Sequence, residues 1–414
     1  MSQELTQQQK LSFERFKQLK VGALFMQMGT GKTRVAIELV NYNQPDFLLY
    51  LTPVSTINNI KIEIEKWGVN CPYRVIGYET IAASDRKYLE LQSELDKYKT
   101  KFIIADESIF IKNGRAKRTR RCFKLREKCQ FALVLNGTPI VKDEWDLYSQ
   151  MNFLSPKIIP HNSFDFIRDF FVEHRIRKNG RDVRYYTFYE PNRPVLTKYV
   201  EPYVFYADLD FAKEEKECFK WIKVNDFEYE EAKEKVFEST LDTDCLIQLF
   251  NVLNNVSACC LEKNMEVADY IKGKQIICFC NYLEEIEQIK RYCDCYVITG
   301  DTHTKARQEI VEQFKNDNKP LLMTLGVGSY SLNLQFCNEI VYSSITFNYG
   351  TLEQSRYRIK RIGQERNIKY TYILSDLKIN SFIFRNLDKK CSLSEIIKTL
   401  IHEEDIKKFI ETEL

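Results

Sequence analysis

Residues 20–40 read KVGALFMQMGTGKTRVAIELV: a short apolar run, a glycine-bearing turn, then Val35, Ala36, Leu39 and Val40 at helical spacing. No other stretch restricts the fold as tightly as Met28-Gly29-Thr30-Gly31-Lys32-Thr33. A strand must deliver the glycines and a helix must start directly after them. The backbone N–H groups of such a loop curl around an anion, and the helix N-terminus behind them favours negative charge. Lys32 would then reach β- and γ-phosphates, and the Thr33 hydroxyl would hold Mg²⁺. The usual pattern opens on a glycine where Met26 stands here, so the match is one glycine short. A chance GxGKT in a surface turn needs neither the apolar strand before it nor the apolar helix face after it. A nucleotide site is therefore the working assumption.

The surrounding chain has the rhythm such a loop requires. GALFM, FLLYLTP, YRVIGY, KFIIADE and FALVLNGTP alternate with helical patterns between residues 20 and 150, the mark of a parallel sheet with helices on both faces. Ligands bind at the carboxyl ends of such strands. One of these ends carries Asp106-Glu107, about 75 residues after the loop. Asp106 suits a Mg²⁺ carboxylate, and Glu107 suits the group that orients and deprotonates an attacking water. Upstream, Thr6-Gln7-Gln8-Gln9 precedes a helix, and Gln9 is the choice for an amide that reads adenine.

Residues 150–265 are helical, aromatic and charged, without regular strand spacing. Within them RIRKNGRDVRYYTFY (175–189) places Asn179-Gly180 between two β-prone arms, a strong hairpin signal. Basic residues near its tip fit either DNA contact or a solvated surface. Residues 206–240 mix acidic and basic residues and suggest surface helices or a linker. From about 270 the βαβ rhythm resumes (KQIICFC, CYVITGD, KPLLMTL, NEIVYSS, KYTYIL), with no second phosphate loop. Two such units with one nucleotide loop imply that ATP sits between them, with cations supplied by the second. In QSRYRIKRIGQ (354–364), Arg358 and Arg361 are three apart and would share a helix face as arginine fingers.

Composition excludes several classes. With 414 residues, 44% apolar and 29% charged, the chain has the make-up of a soluble globular protein of two or three domains. No apolar run approaches the ~18 residues of a membrane span, and MSQELTQQQK is no signal peptide. The thirteen cysteines are irregularly placed, mostly inside apolar runs, which points to buried thiols in a reducing, cytoplasmic setting. The pairs Cys278/Cys280 and Cys293/Cys295 are spaced more tightly than ordinary zinc ligands. Net charge is only +3, so a nucleic-acid surface must come from local clustering. The clearest cluster is Lys112–Lys128, with nine basic residues and one acidic.

Taken together, the motifs resemble the Swi/Snf-type ATPases of helicase superfamily two, especially their compact phage and viral members. MGTGKT resembles motif I, LTPVSTINN with Trp67 motif Ia, DESIFIKN motif II, and LNGTPI…DLYSQMNFLSP motif III. The segment with Gly300, Arg307 and Phe314 fits the second lobe, and QSRYRIKRIGQ closely resembles motif VI. Ile109 stands where motif II has a histidine, and two motif V glycines have become serine near Ser329 and Ser331. The resemblance implies an α/β fold of two RecA-like parallel-sheet lobes with a helical and hairpin insertion. The expected layout is lobe one at 1–205, a linker or protrusion at 206–265, and lobe two at 266–414.

It further implies catalytic roles for Lys32, Asp106, Glu107, Gln354, Arg358 and Arg361. Gln9 and the run Met28, Gly29, Thr30, Gly31, Lys32, Thr33 and Arg34 would bind ATP, with Mg²⁺ on Thr33 and Asp106. DNA contacts are expected from Pro53, Ser55, Lys112, Asn113, Arg115, Lys117, Arg118, Arg120 and Asn333, mainly to phosphates. The expected protein is a monomeric, DNA-stimulated ATPase that translocates on duplex DNA and needs no membrane. The alternatives are a strand-separating or branch-migrating helicase, and a non-catalytic nucleic-acid scaffold. The presence of Lys32, Asp106, Glu107, Arg358 and Arg361 speaks against the scaffold.

Overall fold

The computed structural model describes residues 4–137, 139–140, 144–178, 181–237, 243–328, 332, 334–361, 363–388, 393 and 406–414. The chain divides after Asp210 into two compact units. Each is, as the strand spacing predicts, an α/β unit on a parallel sheet.

In the first unit the strands are β1 (Val21–Met26), β2 (Phe47–Thr52), β3 (Tyr73–Gly77), β4 (Lys101–Asp106), β5 (Phe131–Asn136) and β8 (Val204–Ala207), in the order β3-β2-β4-β5-β1-β8. All five pairings are parallel. A parallel sheet needs apolar cover on both faces, which is why its strands read as unbroken hydrophobic runs. Alternate residues of β1 serve the two layers: Ala23 and Phe25 join one buried cluster, Leu24 and Met26 the other. The helix Lys32–Asn43 covers the second layer with Val35, Ala36, Ile37, Leu39 and Val40. Because every strand runs the same way, the turns after β1, β2, β4 and β5 share one edge of the sheet.

Between β5 and β8 stands an antiparallel hairpin of β6 (Phe171–Lys178) and β7 (Arg181–Phe188). Its base is fixed by rings: Phe170 stacks on Phe166, and Phe171 meets Phe188 edge-on. The expected Asn179-Gly180 turn lies outside the described residues.

The second sheet joins β9 (Glu215–Ile222), β10 (Ile277–Cys280), β11 (Tyr296–Ile298), β12 (Leu321–Thr324), β13 (Glu339–Tyr342) and β14 (Ile368–Ser375), in the order β11-β12-β10-β13-β14-β9, again all parallel. Residues 211–265, read above as part of a linker or protrusion, fold with this second unit. β9 lies beside β14 over eight residue pairs, from Glu215–Ile368 to Ile222–Ser375. Cys278 and Cys280 sit buried in β10. Burial pushes the Cys295 thiol, just ahead of β11, up to about 12. No single described helix is long and apolar enough to cross a membrane.

Candidate nucleotide site

The turn between β1 and its following helix needs glycine at two positions. Gly29 (φ 82°) and Gly31 (φ 85°, ψ 32°) are left-handed, a conformation costly for residues with a Cβ. At Gly31 a Cβ would also lie 2.2 Å from Gln9 Nε2. Gly31 is the N-cap and provides no capping side chain, so the helix N-terminus has no side-chain acceptor of its own. Gln9 is buried, and both ends of its amide are engaged. Nε2 donates to Thr30 O at 2.9 Å, while Oε1 accepts from Thr6 N at 3.0 Å in a capping box. The amide expected to read adenine thus braces the loop in this geometry. Thr30 completes the brace, its hydroxyl donating to Gln27 O at 2.7 Å.

Lys32 Nζ is buried and meets no hydrogen-bond partner among the described residues. A Cβ on Gly137, just past β5, would sit 3.5 Å from it. An unpaired buried ammonium is costly. Its position beside an uncapped helix N-terminus fits an anionic phosphate group.

Asp106 closes β4 two strands away from β1, with β5 between them. Its Oδ1 accepts from Glu107 N at 2.9 Å and its Oδ2 from the Tyr50 phenol at 3.1 Å. Tyr50, fully buried on β2, also lies near enough to Thr33 for the two hydroxyls to interact. One phenol therefore gathers the threonine hydroxyl and the carboxylate that the sequence names for Mg²⁺. An oxygen set of this kind suits a hard divalent cation that keeps several waters. Burial pushes the Asp106 carboxyl up to about 6; the Glu107 charge adds to the rise, while Lys32 opposes it. Tyr78 fixes the strand end, its hydroxyl donating to Asp106 O at 2.7 Å. Glu107 adopts a left-handed conformation (φ 48°, ψ 53°) where the strand breaks into the tight turn Ser108–Ile111. For a non-glycine residue this costs about 1–2 kcal/mol, and strain of this kind clusters at functional sites.

In the second unit the helix expected to carry both arginine fingers stops early. It runs Tyr349–Arg356, so Gln354 is helical whereas Arg358 and Arg361 lie in the turns that follow. Gln364 holds these turns: its Nε2 donates to Cys337 O at 2.8 Å and to Ile359 O at 3.3 Å. Gly363, at φ 98°, ends them. Arg358 is buried, and Arg361 is half-buried.

Family comparison divides the chain near residue 260, not after Asp210. Residues 73–262 match the SNF2-related domain, and residues 260–363 match the helicase conserved C-terminal domain. The chain belongs to the Swi/Snf-like ATPases of helicase superfamily two. An uncharacterized ATP-dependent helicase of Mycoplasma pneumoniae is 23% identical over 92% of this chain and 40% of its own length. The Caenorhabditis elegans homologue of SWI/SNF-related matrix-associated actin-dependent regulator of chromatin subfamily A-like protein 1 is 22% identical over 88% of this chain and 57% of its own length. The chain thus spans about half the length of these curated relatives. Among solved structures, the Sulfolobus solfataricus SWI2/SNF2 ATPase core in complex with dsDNA aligns over 99% of this chain and 97% of its own, at 18% identity and TM-score 0.42. The two curated relatives are bacterial and eukaryotic, so the expected affinity with phage and viral members gains no support from them.

The resemblance implies that Ile109, in place of the motif II histidine, lacks one polar link between ATP and motif III. A different link is present. Gln150, fully buried on the helix Glu144–Leu154, accepts from the Ser108 hydroxyl at 2.6 Å and donates to Pro139 O at 2.6 Å. Ser108 adjoins Glu107, and Pro139 follows Gly137 in the loop beside Lys32. Neither Gln150 nor Tyr50 was singled out from sequence. An amide inside a helical apolar pattern and a phenol inside FLLYLT carry little signal.

Much of the basic run proves to be locally neutralised. Lys117 and Arg121 both meet Asp85, Lys128 pairs with Asp96 at 2.6 Å, and Lys124 pairs with Glu127 at 3.0 Å. Lys112 reaches Asp146 at 3.4 Å. Arg126 donates to Cys129 O and Leu154 O. Arg115 and Arg120 are exposed and form no ion pair among the described residues, and Arg118 lies 5.4 Å from the Phe110 ring. Asn113 is exposed, with its Oδ1 accepting from Arg115 N. Pro53 is buried and Ser55 exposed at the turn after β2, while Asn333 lies outside the described residues. Arg34, assigned above to the nucleotide, pairs with Glu38 at 2.7 Å and lies 3.8 Å over the Trp67 ring.

Proposed function

We propose that this Swi/Snf-like chain hydrolyses ATP with Mg²⁺ and uses the cycle to move along duplex DNA. The observation that carries the hydrolytic part is the buried Lys32 ammonium without a hydrogen-bond partner among the described residues, together with the Tyr50 phenol bound to Asp106 and set near Thr33. In this reading Gly29–Lys32 hold the phosphates. Thr33 and Asp106 would hold Mg²⁺, which would supply charge neutralisation at the phosphoryl oxygens. Glu107, on its strained turn, orients the attacking water and takes its proton. Gln354, Arg358 and Arg361 act on the γ-phosphate from the second unit and couple hydrolysis to lobe movement. Arg115, Arg118 and Arg120 grip DNA phosphates, giving binding with little sequence preference.

Translocation is favoured over strand separation by the chemistry of the hairpin. A wedge presents an aromatic or apolar tip to the bases, whereas Lys178-Asn179-Gly180-Arg181 is polar and basic. The test is ATP hydrolysis by the purified chain with duplex, single-stranded and branched DNA. Duplex should stimulate turnover at least as well as a branched substrate. Stimulation by single strands alone would overturn the duplex reading, and no turnover with any DNA would overturn the motor.

A further inference from the structure

Two cations bracket Arg358 in the chain, and one strand holds both. Arg356 Nη2 lies 2.7 Å from Glu217 Oε1, and Lys360 Nζ lies 2.6 Å from Glu215 Oε1. Glu215 and Glu217 are two apart on β9 and so share a face. Arg356 is tied down further: it donates to the Tyr372 phenol at 2.6 Å and lies 4.9 Å from the Tyr370 ring. Lys360 also sits 5.7 Å over Phe211, the first residue of the second unit. These contacts matter because the segment they hold is not helical. After Arg356 the backbone makes irregular turns, with Arg358 N donating to Ser355 O at 3.2 Å, Lys360 N to Arg356 O at 3.1 Å and Arg361 N to Ile359 O at 3.1 Å, and Arg358 O accepts from Leu334 N at 3.3 Å. Turns of this kind do not hold a side chain in register by themselves. β9 is an edge strand whose residues are mostly exposed, so its side-chain attachment to this segment is chiefly ionic.

The strand that holds the arginine segment is also the first one after the connection between units. At the other end of that connection, Leu209 N donates to Gln27 Oε1 at 3.1 Å and Gln27 N donates to Ala207 O at 2.8 Å. Gln27 is the residue that opens the phosphate loop.

We infer that Glu215 and Glu217 are positioning residues for Arg358 and Arg361: by fixing Lys360 and Arg356 they set the register in which the arginines are presented. This rests on the proposed ATPase. Glu215→Gln combined with Glu217→Gln removes both charges and keeps the side-chain shape. In the full chain, ATP affinity and the thermal midpoint should stay near wild type. The turnover number should fall about tenfold or more, as misplaced transition-state groups require. Amide exchange over residues 357–361 should rise about tenfold, a readout that needs no hydrolysis. Swapping one pair, Glu215→Lys with Lys360→Glu, should restore most of the turnover lost in Glu215→Lys alone. Unchanged exchange in the double variant overturns the inference, as does unchanged turnover in a chain that hydrolyses ATP. An inactive wild type with accelerated exchange in the variant would instead overturn the proposed ATPase and leave the positioning contacts established.

Discussion

Asp106→Asn should stabilise the first unit while abolishing hydrolysis. Burial and Glu107 raise the Asp106 carboxyl from its ordinary 3.8 to about 6. A raised folded-state value means that ionisation opposes folding. The penalty is absent below about pH 4, grows as pH rises through 6, and is complete above it. A rise of this size corresponds to about 3 kcal/mol at most, and relaxation around the site leaves roughly 1–3 kcal/mol. Asparagine escapes the penalty and keeps the geometry: its Oδ1 accepts from Glu107 N, and its amide donates to the Tyr50 oxygen. For a unit of this size the gain is roughly 2–10 °C in thermal midpoint. The assay is thermal unfolding in metal-free buffer at pH 7.5 and pH 4.5. It follows Trp67 and Trp145 in a Trp221→Phe background, because Trp221 is the one tryptophan of the second unit. The variant should melt higher at pH 7.5, and the difference should shrink to about a third of that at pH 4.5. A lower midpoint at pH 7.5, or an equal gain at both values, would refute the reasoning.

Other expectations follow from the same geometry. Lys32→Ala should abolish hydrolysis. Glu107→Gln should bind ATP normally and lose turnover; full turnover in Glu107→Gln would remove the Asp106-Glu107 pair from the active site. Arg361→Ala should leave nucleotide binding largely intact and lower turnover on the order of 10³-fold, whereas lost affinity with unchanged turnover would contradict its role. Arg115→Ala and Arg120→Ala should each flatten the salt dependence of duplex binding by about 0.9. Lys124→Ala and Lys128→Ala, already paired within the unit, should leave that slope nearly unchanged, and an equal effect from both sets would return the whole run to the DNA surface.

Much of this site was legible in the sequence, for reasons that can be named. Both sheets are parallel and their inner strands are buried on two faces, so those strands stand out as continuous apolar runs. The phosphate loop needs glycines where the backbone turns left-handed, and Gly29 and Gly31 mark those places. Other features depend on partners far apart in sequence. The neutralising acids Asp85, Asp96 and Asp146 lie 32–36 residues from the lysines and arginine they meet, so composition overstated the free charge of Lys112–Lys128. β9 was missed because EKECFKWI is an exposed edge strand, with little of the burial that produces a hydrophobic pattern. The shared helix face expected for Arg358 and Arg361 required a helix that ends at Arg356. Tyr50 acts through its hydroxyl and Gln150 through its amide, each in apolar surroundings, which hydrophobic periodicity does not register.

Displacement of a third strand from a triplex is the most direct test of motion along an intact duplex. The purified chain, given ATP and Mg²⁺ on a duplex carrying a triplex-forming strand, should release that strand while separating little of a forked duplex. Lys32→Ala should release none. Efficient unwinding of a long forked duplex, lost when residues 177–182 are deleted, with no ATP-driven release from the triplex, would contradict duplex translocation and establish a helicase.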